Sequence, residues 1–323
     1  MKLEFIDTAA AEHRADIDRE NRAISDMFRG LLESDGPLPL QLMRDAQNSM
    51  AAAMACPDAL EFDIPTPAGP LTLRQLPAPG TPRGVFLHIH GGGFVLGSAT
   101  QGDLLNGMLR DQLGVTTISV NYRLAPEHPH PAAIDDCLAA AMWVIDHLDE
   151  LGSDKLLIGG ESAGAYFAAM TLIRLRDRGH APFVGASLVS GVYDLSGTPS
   201  QSGVGAGPDG LTPQFMDMSR DSLTPDMSIE ERRDASVSPL RADLSGLCPA
   251  LFTVGRADHL LDDSVFMSAR WRLAGNPTEL IVIPDAGHMA AALPSVQQTW
   301  VPRMVSFLAD QLDASSPETV RLE

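Results

Sequence analysis

The sequence predicts an α/β fold built on a mainly parallel sheet, on three observations. From Glu61 to about residue 312, strand-like runs alternate with helical stretches, which implies βαβ units with helices on both faces of the sheet. Two glycine-rich turns, HGGG at 90–93 and GESAG at 160–164, each follow directly on an apolar run, VFLHI and LLIG. A composition of 44% hydrophobic and 20% charged residues over 323 positions suits a packed domain and lies far from the low-hydropathy, high-charge regime of disorder.

The elements follow in order. Residues 1–55 form an N-terminal helical cap segment. Ile17, Ile24, Met27, Phe28, Leu31 and Leu32 fall at helical spacing, Gly36-Pro37 breaks the pattern, and a second helical stretch runs from Leu40 to Met54. The β-type runs EFDIPTP, LTLRQLP, VFLHIH and TTISVNY come next. Beyond them lie a helix at about 131–150, LLIGG, a helix from Ala163, ASLVSGVYD, ALFTVG, a helix near 263–274, ELIVIP and a last helix near 295–312. Residues 196–234, rich in Gly, Ser, Pro, Met and Asp, interrupt the alternation and are too long for an ordinary loop, so they read as an inserted lid of short helices packing with the N-terminal segment. That leaves 56–195 and 235–323 as the main α/β domain, ending in a polar, frayed tail after Ala314.

A formal charge of −19 argues against a nucleic-acid partner or an anionic membrane surface, either of which needs clustered Lys and Arg. Cys56, Cys137 and Cys248 are odd in number and widely spaced, as expected of reduced thiols. The acidic N-terminus does not resemble a signal peptide, and no apolar run approaches membrane-spanning length, so the expected compartment is the cytoplasm.

Chemistry concentrates in the glycine turns. A lone G-x-S-x-G matches by chance often, but Gly160-Glu161-Ser162-Ala163-Gly164 lies between a strand-like run and a small-residue helix, the context in which a serine is held exposed on a tight turn. His90-Gly91-Gly92-Gly93 offers backbone N–H groups free to point at one external oxygen. Gly92 and Gly93, with Ala163 after the serine, are the expected oxyanion donors. A serine hydroxyl needs a general base. Only His180, His259 and His288 follow Ser162; His180 reads as a surface residue and His259 as structural or pocket-lining, whereas His288 follows the strand ELIVIP. For the acid, Asp258 follows the strand ALFTVG, with Asp194 at the end of ASLVSGVYD as its rival. His88-x-His90 and His128-Pro-His130 lack a third donor at ligand spacing, so neither metal nor cofactor is expected. Phe94, Glu161, Phe215 and Met216 are candidate pocket residues, with Glu161 also placed to orient neighbouring backbone.

HGGGF at 90–94, YRLAPEHPHPAAIDD at 122–136, GESAGA at 160–165, GRADHLLDD at 255–263 and DAGH at 285–288 together resemble the bacterial hormone-sensitive-lipase-like (family IV) esterases of the α/β-hydrolase superfamily. The resemblance spans residues 60–312. It implies a mainly parallel eight-stranded sheet with a helical cap, a serine carboxylesterase acting on small-molecule esters of short to medium acyl chain, bracing roles for Arg123, Pro126 and Glu127, and a possible homodimer. Two departures stand out: the family's usual GDSAGG has Glu161 and Ala165 here, and the last acidic position of its GxxDxLxDE pattern is Asp263. Lactone, carbamate and amide hydrolysis would use the same residues. A non-catalytic receptor on this scaffold is the reading from another class, though such a binder would be expected to lose a triad member.

Overall fold

The computed structural model describes residues 3–5, 7–32, 40–203, 207–208 and 211–314. Among these, one sheet contains β1 (Leu3–Phe5), β2 (Leu60–Thr66), β3 (Gly69–Leu76), β4 (Gly84–Ile89), β5 (Val115–Val120), β6 (Leu156–Glu161), β7 (Phe183–Val189), β8 (Ala250–Gly255) and β9 (Thr278–Ile283). Their order is β1-β9-β8-β7-β6-β4-β5-β3-β2. Only β3 runs antiparallel to its neighbours β2 and β5. The expected eight strands are β2 to β9. The ninth, β1, adds a short parallel strand outside β9, so a dimer joined edge to edge would have to use β1 or β2.

The helices are α1 (Asp7–Leu32), α2 (Leu40–Ala53), α3 (Asp103–Leu113), α4 (Ala132–Asp146), α5 (Leu148–Leu151), α6 (Ala163–Asp177), α7 (Pro213–Leu223), α8 (Ile229–Arg232), α9 (Leu261–Leu273) and α10 (Pro294–Asp313). Side chains alternate across the strands and so feed two cores. Val85, Leu87 and Ile89 of β4 pack with Leu138 of α4, Phe167 of α6 and Trp271 of α9, while Phe86 packs on the other face with Leu109 of α3 and Trp300 of α10. Covered on both sides, β4, β5 and β8 are buried along their whole length, and their apolar side chains exclude water from both faces.

The N-terminal segment divides its work between two sites. On α1, Ile17 joins the α10 core and Asn21 donates to the Asp285 carbonyl at 3.0 Å, beside the loop after β9. On α2, Leu40 and Met43 pack with Phe215 and Met218 of α7. The side chains of Met27, Phe28, Leu31 and Leu32, the Gly36-Pro37 break and the tail after Ala314 lie outside the described residues.

The first turn of α6 drives directly against β4. A Cβ on Gly164 would lie 1.9 Å from the Ile89 carbonyl oxygen, so only glycine lets the helix start there.

Asp263 anchors the chain that follows β7. Its buried carboxylate accepts from the N–H groups of Tyr193 and Asp194, from Thr198 Oγ1 at 2.6 Å and from Gln201 Nε2 at 2.8 Å. Burial pushes this carboxyl up to about 6 from an ordinary 3.8, against those four bonds, which pull it down. The folded protein therefore keeps a proton that the unfolded chain has already lost, and the associated stability is complete below about pH 4 and lost as pH rises through 6. Asp263→Asn removes this titration. The wild-type minus variant difference in urea midpoint should fall between about pH 4 and 7 and level off above; a difference independent of pH would contradict the assignment.

Candidate functional site

In a parallel sheet the loops that leave the carboxyl ends of the strands gather along one edge. Here the turns after β4, β6, β8 and β9 carry the glycine loop, Ser162, Asp258 and His288 respectively. Ser162 has φ 56° and ψ −118°, a left-handed backbone that a non-glycine residue adopts at a cost of about 1–3 kcal/mol. The surrounding structure holds it there: its N–H donates to the Val189 carbonyl of β7 at 2.8 Å, and α6 begins at the next residue.

Ser162 Oγ lies 2.9 Å from His288 Nε2, and His288 Nδ1 lies 3.1 Å from both carboxylate oxygens of Asp258. Asp258 is 4% exposed and also accepts from the Leu260 N–H. An acceptor-only carboxylate at Nδ1 assigns the proton to that nitrogen, leaving Nε2 to accept from the serine hydroxyl. Asp194 is committed elsewhere, with Arg241 Nε and Nη2 donating to its Oδ2 at 3.0 and 2.7 Å. The geometry therefore joins Ser162, His288 and Asp258 and leaves Asp194 out. His180 is exposed at the end of α6, and His259 sits half-buried beside Ser200 and Gly203.

The glycine loop is shaped by left-handed backbone at Gly92 (φ 124°) and Gly93 (φ 58°). His90 is a fastener for this loop. Its ring stacks on Tyr122 at 4.1 Å, its Nδ1–H donates to the Gly91 carbonyl at 2.8 Å, and the Tyr122 hydroxyl donates to the His90 carbonyl. Complete burial pulls its pKa down to about 3, so the imidazole is neutral. Phe94, expected at the pocket, turns inward instead: it is 4% exposed and packs edge to face on Tyr166 and Phe167. Ala163 is the first residue of α6, where backbone N–H groups have no partner within the helix.

Helix α7 roofs this loop. A Cβ placed on Gly93 would lie 2.8 Å from the Phe215 ring and 2.7 Å from Ser219 Oγ, so Phe215 lies against the glycine loop. Met216 is half-buried on the same helix. No sequence motif marked Ser219, one helical turn beyond Phe215; it is 3% exposed and its hydroxyl has no hydrogen-bond partner among the described residues. Arg44 of α2 was equally unmarked. It donates to the carbonyls of Val95 and Ala125 at 2.7 and 2.8 Å and grips both oxygens of Glu127, clamping α2 onto the chain beyond the glycine loop. Hydrogen bonding to Arg44 holds the Glu127 carboxyl down at about 2. Arg123 is tied to Asp136 in the same way. Among the described residues no group of three or more His, Cys, Asp or Glu is arranged to hold a metal, and no helix is long and apolar enough to cross a membrane.

Residues 86–292 match the model of a family of alpha/beta hydrolase fold. The chain belongs to that family, in its hormone-sensitive-lipase-like branch. Among its relatives, carboxylic ester hydrolase LipN of Mycobacterium tuberculosis is 31% identical over 256 residues, covering 76% of this chain and 68% of LipN. An acetyl esterase of Salmonella choleraesuis is 29% identical over 231 residues, covering 70% of this chain and 71% of that enzyme. Among solved structures, the hyperthermophilic esterase from Pyrobaculum calidifontis superposes with a TM-score of 0.76 at 27% identity, over 90% of this chain and 96% of the other.

Gly93→Ala adds a methyl group where the Phe215 ring and the Ser219 hydroxyl already lie, at a backbone conformation alanine disfavours. It should lower kcat for p-nitrophenyl acetate by about 100-fold and, because of that strain, lower the urea midpoint by an amount worth about 1 kcal/mol or more. Wild-type turnover would contradict this geometry.

Proposed function

We propose that this carboxylic ester hydrolase cleaves short- to medium-chain acyl esters of small alcohols through an acyl-enzyme on Ser162. His288 takes the serine proton as Oγ attacks the ester carbonyl, and the negative oxygen that forms is met by the N–H groups of Gly92, Gly93 and Ala163. The imidazolium returns its proton to the departing alkoxide. A water molecule, deprotonated by the same imidazole, then releases the acid and regenerates Ser162. Asp258 keeps the imidazole in the tautomer that accepts from serine and stabilises its charged form.

The observation that carries the reading is the unbroken chain of contacts, 2.9 Å from serine to imidazole and 3.1 Å from imidazole to carboxylate, beside a loop whose Gly92 and Gly93 N–H groups donate to no other group among the described residues. A general base contributes about 10²- to 10⁴-fold and each oxyanion donor about 10²- to 10³-fold, so these groups together supply much of a typical esterase's rate enhancement. A short acyl group is supported by the roof: Phe215 closes directly over Gly93, and α7 is locked to α2 through Leu40, Met43 and Met218. Relatives named acetyl esterase favour the same end of the range.

Turnover of p-nitrophenyl acetate, butyrate, hexanoate and palmitate by wild type and Ser162→Ala tests both parts. The proposal expects kcat/KM to peak at or below hexanoate, and Ser162→Ala to lower kcat by about 10⁴-fold or more with the urea midpoint retained. A peak at palmitate would overturn the chain-length preference, and an active Ser162→Ala would overturn the nucleophile.

A further inference from the structure

Two sequence oddities meet in space. His88, half of the His88-x-His90 pair, lies on β4, and Glu161, the departure from the family's elbow, ends β6. His88 is 1% exposed in the middle of the sheet, between the buried Leu87 and Ile89 of its own strand. Its Nε2 is 3.1 Å from Glu161 Oε2, and its Nδ1 is 3.1 Å from Ser119 Oγ on β5. Asn106 of α3 donates to that same Ser119 oxygen at 2.8 Å.

The direction of the bonds follows from the donors available. Asn106 fills a lone pair of Ser119 Oγ, the Ser119 O–H turns to His88 Nδ1, and the remaining His88 N–H points at the Glu161 carboxylate. Four side chains from four elements thus form one relay ending at the residue before Ser162. The imidazole has little room to move, because a Cβ on Gly102 would lie 2.3 Å from its ring. Burying a histidine with only one nitrogen satisfied would cost about 1–3 kcal/mol, and the relay satisfies both nitrogens of His88.

The relay spans the junction between the two halves of the site. β4 leads into the glycine loop and β6 into the nucleophile turn, and the two touch where a Cβ on Gly91 would lie 2.8 Å from the Glu161 carbonyl oxygen. Any slip of one strand end against the other moves the Gly92 and Gly93 N–H groups relative to Ser162 Oγ. Misplacement by about 1 Å is enough to cost 10²-fold in rate.

We propose that the Glu161–His88 pair is a positioning element that sets the glycine loop against the nucleophile turn, acting through both and touching no substrate. The proposal rests on the esterase reading of Ser162. The substitutions Glu161→Ala, Glu161→Gln and Ser119→Ala test it, with two readouts: steady-state turnover of p-nitrophenyl acetate, and the rate at which a p-nitrophenyl phosphonate labels Ser162. Glu161→Ala should lower kcat by about 10- to 100-fold with KM within about 2-fold, and slow labelling by the same factor. Glu161→Gln retains an oxygen that accepts from His88 and should recover to within about 3-fold of wild type, with Ser119→Ala falling between. A Glu161→Ala variant that loses stability in urea yet keeps wild-type kcat and labelling would overturn the proposal, as would a glutamine variant as slow as the alanine one. Wild-type protein that fails to label at Ser162 would overturn the esterase reading, and the proposal with it.

Discussion

The contact between Ser162 Oγ and His288 Nε2 exists because a parallel sheet delivers three separate strand ends to one edge. The two residues are 126 positions apart in the chain and 2.9 Å apart in space. Parallel pairing of β6 with β7, β7 with β8 and β8 with β9 sets the spacing of the loops that carry Ser162, Asp258 and His288. The left-handed Ser162 backbone is stable only as part of this frame, with β7 taking its N–H and the α6 glycine Gly164 admitting the helix against β4. Local strain at Ser162 is thus sustained by global register.

Helices α2 and α7 close over the glycine loop by direct contact. Phe215 and Ser219 of α7 lie on Gly93, α2 packs against α7, and Arg44 ties α2 to Val95, Ala125 and Glu127. The guanidinium matters more for these contacts than for its charge, since Glu127 is half exposed and an ion pair there is worth no more than about 1 kcal/mol. The carbonyls of Val95, just after the glycine loop, and of Ala125, after β5, would lose their donor without it. On the opposite side, α1 supports the loop of His288 through Asn21 and the backbone of Asp285.

The parts of this architecture legible in the sequence are those where local geometry admits few residue types. Gly160-Glu161-Ser162-Ala163-Gly164 and His90-Gly91-Gly92-Gly93 announce tight turns through their glycines, and of the three histidines that follow Ser162, His288 comes just after the strand-like run ELIVIP. The remainder is long-range or too short to leave a pattern. Three residues, Leu3–Phe5, cannot display strand periodicity, so β1 passed unnoticed. Arg44 and Glu127 meet across 83 positions. Phe94 follows the glycine loop and looks like a pocket residue, but a φ of 68° turns it into the core with Tyr166 and Phe167. His88-x-His90 resembles half a metal site, and spacing could not reveal that its two imidazoles serve different neighbours, Glu161 and Gly91.

On the proposed mechanism one serine among many is a nucleophile because an imidazole stands ready to take its proton. Peptide mapping by mass spectrometry after treatment with a stoichiometric organophosphate tests that claim directly. A single adduct on the peptide bearing Ser162, absent when His288 is replaced by alanine, is the result this structure predicts. An adduct on any other residue, or labelling of Ser162 that persists without His288, would contradict it.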